Sequence, residues 1–185
     1  LLLAGLVVAP MLHAQTGNID PAQRHAWAEN AGWLDFRPAF GGVTVLPTFL
    51  IGYAWQDKAG WVNLCVFAGG PYTNGGSPTT WGVNLNSITC ALSGFAWSEN
   101  AGWIQMDPTF GGVTYSGMTH QMSGWAWSEN LGWLLFRSIS PIAYGVAVTC
   151  GSITGTVIGG GATCAGSSST FTVSVVVSGG TAPYT

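Results

Sequence analysis

A nine-residue motif occurs four times in this chain, and no other feature restricts its fold as strongly. The copies begin at Ala26, Ala54, Ala96 and Ala126 and read AWAENAGWL, AWQDKAGWV, AWSENAGWI and AWSENLGWL. Their starts are 28, 42 and 30 residues apart. Spacing of this size indicates that each copy is one supersecondary unit, which buries its apolar face only by packing against the other copies.

Each unit has the residue pattern of a β-hairpin with a strand before it. Turn-forming residues separate two β-prone runs in every copy. A Gly-Val segment precedes three copies, as FGGVT from Phe40, WGVNL from Trp81 and FGGVT from Phe110. No segment shows a sustained helical period with caps, so the sequence predicts an all-β fold. Hairpins with one apolar face must bury it together, in a small barrel, a prism or a sandwich.

The length of the hairpin loop decides which side chains face the core. A four-residue loop, ENAG in the third copy, places Trp97 opposite Ile104 and Trp103 opposite Ser98. Directly opposed side chains share a face of the sheet. The face predicted to be the core then carries His25, Trp27, Leu34 and Phe36; Tyr53, Trp55, Val62 and Leu64; Phe95, Trp97, Ile104 and Met106; and Trp125, Trp127, Leu134 and Phe136.

This register gives the two tryptophans of each copy different roles. The first is predicted to be a structural core residue: Trp27, Trp55, Trp97 and Trp127. The second lies on the opposite face among small residues and is a candidate for stacking on a sugar ring: Trp33, Trp61, Trp103 and Trp133, with Asn30, Asn100 and Asn130 nearby as hydrogen-bonding groups. We favour the other interpretation, that these indoles pack against neighbouring units, because aromatic side chains usually contribute through buried area.

The charge content excludes several functions. Only 6% of the residues are charged, and four Lys and Arg cannot build the basic surface that nucleic acids require. Seven acidic residues and three histidines show no metal-ligand spacing. We therefore predict no metal, no cofactor and no nucleic-acid partner.

Catalysis is also not expected. Acidic residues recur at one turn position, as Glu29, Asp57, Glu99 and Glu129. A glycosidase needs two carboxyl groups in different environments facing one cleft, whereas repeats place them in equivalent turns. No catalytic motif accompanies them, so we predict a non-enzymatic protein.

Four cysteines indicate two disulfides in an oxidising compartment. Proximity favours Cys65 with Cys90 and Cys150 with Cys164, although the sequence alone permits three pairings.

The chain divides into four predicted segments. Residues 1–14 read as part of a signal peptide, residues 15–138 as the Trp-rich repeat domain, residues 139–148 as a linker, and residues 149–185 as the start of another β module. No apolar run is long enough for a transmembrane helix.

Two stretches resemble known families. The motif, closest in GWAWSENLGWL at residues 124–134, resembles GWAWSENIGWI-type tandem repeats of predicted exported bacterial proteins, and the likeness covers roughly Ile19 to Ser138. The segment ending in SGGTAPYT resembles the first half of an immunoglobulin-like or PKD-like module of bacterial surface proteins. The second resemblance implies a multidomain surface protein with spacer or adhesive stalk modules, whereas the first supplies no activity. We predict a non-enzymatic extracellular or cell-surface protein for adhesion or envelope architecture, with glycans or other cell-surface components as partners. The alternative is a lectin-like module that uses the second tryptophan of each repeat.

Overall fold

The computed structural model describes residues 17–149, which form one antiparallel sheet of thirteen strands and no helix. The predicted all-β fold is confirmed. In chain order the strands are β1 (Ile19–Ala28), β2 (Gly32–Asp35), β3 (Gly42–Val45), β4 (Leu50–Gln56), β5 (Gly60–Asn63), β6 (Val83–Leu85), β7 (Leu92–Ser98), β8 (Gly102–Gln105), β9 (Gly112–Tyr115), β10 (Met122–Ser128), β11 (Gly132–Leu135), β12 (Arg137–Ser138) and β13 (Tyr144–Val148). The predicted signal peptide and immunoglobulin-like module, with Cys150 and Cys164, lie outside the described residues.

Four hairpins close into an eight-stranded barrel. Each nine-residue motif forms one hairpin, and the hairpins are β1–β2, β4–β5, β7–β8 and β10–β11. Each second strand pairs with the first strand of the next hairpin, and β11 returns to β1 through Ala28 opposite Leu134. Of the three predicted arrangements, the chain therefore adopts the small barrel, which removes the exposed edges of an open sheet.

A further strand lines the first strand of every hairpin. Strands β3, β6 and β9 pair with β4, β7 and β10, as the Gly-Val pattern predicts. Strand β13 takes the same place beside β1, where Val146 lies opposite Arg24 as Val43 lies opposite Gly52. The last strand of the described chain thus completes the first unit, and residues 144–148 belong to the fold rather than to a linker.

The hairpin register differs from the prediction. Three residues, not four, separate the paired Ser98 and Gly102, so Trp97 lies opposite Trp103. Gly102 itself pairs with Ser98, and its left-handed φ of 73° allows the chain to reverse direction in a short turn. An odd separation exchanges the faces of the first strand. The aromatic residues assigned to the core on the first strands therefore point outward.

Small side chains from the first strand of each hairpin lie opposite larger ones from the second strand inside the barrel. The second-strand residues predicted to be core are buried: Leu34, Phe36, Val62, Leu64, Ile104, Met106, Leu134 and Phe136. The first strands contribute a fully buried layer of alanines, namely Ala26, Ala54, Ala96 and Ala126. An eight-stranded barrel has an interior just wide enough to be filled by side chains. Alanine therefore occupies the inward positions where tryptophan was expected.

Candidate functional site

Eight tryptophans form an aromatic belt around the outside of the barrel. The two indoles of each hairpin meet edge to face, with ring centroids 4.6–5.0 Å apart. The belt comprises the pairs Trp27–Trp33, Trp55–Trp61, Trp97–Trp103 and Trp127–Trp133. The first tryptophan of each copy was predicted to be buried, and this is wrong, since Trp27 is 40% exposed and Trp55 36%. The second tryptophans lie on the outer face as predicted, and Trp103 is 46% exposed.

A third aromatic ring completes a triad in each hairpin. The residue two positions before the first tryptophan contacts the second tryptophan, with centroids 5.8–6.4 Å apart. These residues are His25, Tyr53, Phe95 and Trp125. The second tryptophan is thus held between two rings of its own hairpin, so its orientation is fixed before any ligand arrives.

A groove of about 520 Å³ separates the second hairpin from the third. One wall carries Trp61 and the other carries Trp97. The full lining is Tyr53, Trp55, Ala59, Gly60, Trp61, Asn63, Trp97, Glu99 and Asn100. Its volume falls within the range of small-molecule sites.

Polar groups lie beside the indoles of this groove. Asn63 pairs with Trp97 across the two hairpins, and its side-chain oxygen accepts a hydrogen bond from the Cys65 N–H at 3.2 Å. Its amide NH₂ makes no hydrogen bond within the described part of the chain, and the carboxylate of Glu99 is exposed at the turn. The groove therefore offers one donor group and one acceptor group next to two indoles.

Sequence reasoning missed this set of polar neighbours. Asp35, Asn63 and Gln105 lie opposite the first tryptophan of the following hairpin, respectively Trp55, Trp97 and Trp127. All three occupy the residue after the apolar position that follows the second tryptophan, so the repeat does contain the signal. Whether this polar residue lies beside a tryptophan depends on which hairpins are adjacent, and the sequence alone did not show that adjacency.

The predicted asparagine candidates have a different role. Asn100 donates to the Ala59 carbonyl at 3.2 Å, and Asn130 donates to the Ala101 carbonyl at 3.1 Å. The backbone N–H of Asn30 donates to Leu131 at 3.1 Å. Each bond joins the turn of one hairpin to the turn before it around the barrel, so these asparagines chiefly connect the units.

A buried polar residue strengthens each of three turn connections. The Ser98 hydroxyl donates to the Ala59 carbonyl at 2.7 Å and accepts from the N–H groups of Asn100 and Ala101. Ser128 donates to the Ala101 carbonyl at 3.4 Å, and Gln56 occupies the same position in the second hairpin. The first hairpin has Ala28 there and uses backbone groups instead. No buried side-chain nitrogen or oxygen of residues 17–149 lacks a partner.

Charged and metal-binding groups are sparse on this surface. Arg24 forms an ion pair with Asp35 at 3.3 Å, and the turn residues Glu29, Asp57, Glu99 and Glu129 are exposed. Within the described residues, no group of three or more His, Cys, Asp or Glu is placed to hold a metal ion.

The predicted disulfide between Cys65 and Cys90 is wrong, because Cys65 is a buried free thiol. The backbone of Cys65 pairs with that of Gly82 in an isolated antiparallel β-bridge at the base of the segment between β5 and β6. Backbone pairing, rather than a disulfide of Cys65, therefore holds that end. The predicted pair of Cys150 and Cys164 lies outside the described residues.

Acid is expected to destabilise the fold through the first aromatic triad. Partial burial lowers the pKa of His25 below 6.5, and the nearby Asp35 carboxylate opposes this only in part. A lowered pKa means that the unfolded chain binds the proton first, so stability is lost as the pH falls below 6.5. The decrease in the urea midpoint from pH 8 to pH 5 should be larger for the native chain than for His25→Tyr, a variant that copies the equivalent residue Tyr53 of the second hairpin. Equal falls in both proteins would contradict the assignment.

No family model, curated protein or solved structure matches this chain. The part of the chain that the structure describes contains no helix long and apolar enough to cross a membrane.

Proposed function

We propose that this chain is a non-catalytic glycan-binding module of an exported surface protein. The observation that carries the proposal is the outward orientation of both tryptophans in every hairpin, several of them 36–46% exposed. Soluble proteins seldom leave contiguous apolar surface in water unless a partner covers it. A flat indole beside amide and carboxylate groups suits a sugar ring, which has an apolar face and a polar rim.

The groove between the second and third hairpins is the proposed centre of binding. Trp61 and Trp97 supply stacking surfaces, the NH₂ of Asn63 can donate to a sugar hydroxyl, and Glu99 can accept from one. The triad contacts hold the indoles in place, which lowers the entropy lost when a ligand binds.

Repetition would increase the strength of such binding. The four hairpins present four outward tryptophan pairs on one rigid barrel. A polymeric glycan that contacts more than one pair would bind with avidity above that of a single contact.

The predicted signal peptide and the likeness of the final segment to stalk modules support a location at the cell surface, where adhesion to glycans is a common function.

Glycan-array screening followed by calorimetry with the selected oligosaccharide tests this proposal. We expect the native chain to bind and the Trp61→Ala, Trp97→Ala double variant to bind at least about tenfold more weakly, since truncating a central interface tryptophan typically costs more than about 1–2 kcal/mol. Trp27→Ala is the matched control, because this indole is 40% exposed, close to the 43% of Trp61, but does not line the groove. Absence of glycan binding by the native chain, or unchanged binding by the folded double variant, would overturn the proposal.

A further inference from the structure

The long segment between β5 and β6 forms one wall of a pocket beside the third hairpin. Tyr72, which is 5% exposed, fixes the segment by donating its hydroxyl to the Phe67 carbonyl at 2.9 Å. Its backbone N–H donates to Asn84 at 2.7 Å. The segment therefore stands against the third aromatic triad and encloses a pocket of about 340 Å³ lined by Asn74, Gly76, Ser77, Pro78, Trp81, Phe95 and Trp103.

The polar groups of this pocket are already used within the segment. Asn74 accepts from the Gly82 N–H at 3.0 Å and donates to the Tyr72 carbonyl at 3.4 Å. The Ser77 hydroxyl shares a hydrogen bond with the Thr79 hydroxyl at 2.9 Å. A ligand in the pocket thus meets aromatic and aliphatic surface with few groups left to bond it. This distinguishes the pocket from the sugar groove.

Three aromatic rings form one side of the pocket. Trp103 lies 5.3 Å from Trp81 and 5.9 Å from Phe95 between ring centroids, at interplanar angles of 80° and 69°. No basic residue lines the pocket. The carboxylate of Asp107 accepts from the N–H of Gly94, the residue before Phe95, at 3.2 Å. The lining of the pocket is therefore aromatic and carries no basic residue.

We propose that this pocket binds a quaternary ammonium group, such as the trimethylammonium end of a choline-type ligand. Aromatic faces attract such cations through their quadrupoles, and a quaternary ammonium needs no hydrogen bond. A simple ammonium ion would leave its N–H groups unpaired here. This site does not depend on the groove between the second and third hairpins.

The other hairpins provide an internal comparison. At the position of Trp81, two units carry Gly41 and Gly111, which lie against the second tryptophans Trp61 and Trp133. Replacing Trp81 with glycine therefore copies a residue that the same fold uses elsewhere. Phe95→Leu is a second variant that removes another ring without touching the inserted segment.

Tetramethylammonium is the probe, titrated while the indole NMR signals and tryptophan fluorescence are recorded. We expect saturable shifts for tetramethylammonium and at least about tenfold weaker binding by both variants, since the cation loses an aromatic face in each. Trp55→Ala, outside this pocket, should bind as the native chain does. Equal affinity for a neutral tert-butyl alcohol, absence of saturation, or unchanged binding in the folded variants would each overturn the proposal.

Discussion

Phe136→Ala is expected to destabilise the barrel by about 3–5 kcal/mol, the range for truncating a buried phenylalanine. Its ring is 1% exposed and packs on Phe36 with centroids 5.4 Å apart. Phe36 directly follows β2 and Phe136 directly follows β11. Their contact therefore joins the first hairpin to the last, which are the two hairpins that meet where β11 pairs with β1. The truncation leaves a cavity that a closed barrel cannot easily collapse. Urea denaturation of the native chain and the variant measures the difference.

Trp27→Ala is the matched comparison for this experiment. Its ring is larger but 40% exposed, and it contacts Trp33 across the outer face. Loss of one aromatic pair costs about 0.5–1.5 kcal/mol beyond the area lost, so we expect a smaller total than for Phe136. A greater loss of stability in Trp27→Ala than in Phe136→Ala would contradict the outward orientation of the first tryptophans.

The sequence predicts the hairpins and half of the core, but not the orientation of the first strand. Hydrophobicity favours burying Trp97 over Ala96, and a four-residue loop made that assignment consistent in all four copies. The barrel reverses this assignment. The inner faces of its eight strands enclose little volume, so small residues fit there better than indoles. An alanine directly before the first tryptophan of every copy was the local signal for this outcome.

Two other features depend on contacts between distant segments. The YGVAV strand that completes the first unit has no hairpin after it in the described chain, so local pattern gave no reason to place it beside β1. The role of Asn63 likewise appears only when the third hairpin lies next to the second. By contrast, the outer location of the second tryptophans does not depend on the loop length. The apolar residue after each one must face the interior, and neighbouring residues of a strand point to opposite faces.

Gln56→Leu is expected to cost about 2–5 kcal/mol, because it removes the connection between two turns without changing the side-chain size greatly. The Gln56 side chain is 1% exposed, donates to the Ala31 carbonyl at 2.6 Å and accepts from the Ala59 N–H at 2.6 Å. It also accepts from the Lys58 N–H at 2.7 Å. Each buried group left without a partner costs about 1–3 kcal/mol, and access of water to the exposed Lys58 reduces the sum.

Gln56→Ser provides a control that the fold itself suggests. Ser98 and Ser128 occupy the same inward position, and the Ser98 hydroxyl makes the equivalent three bonds. Serine at residue 56 should therefore recover most of the stability that leucine loses, although it fills less volume. Urea denaturation compares the two variants, and hydrogen exchange at the Ala59 amide shows whether its bond is kept. If leucine were tolerated as well as serine, the turn connections would contribute little, and packing of the apolar layers alone would hold the four hairpins together.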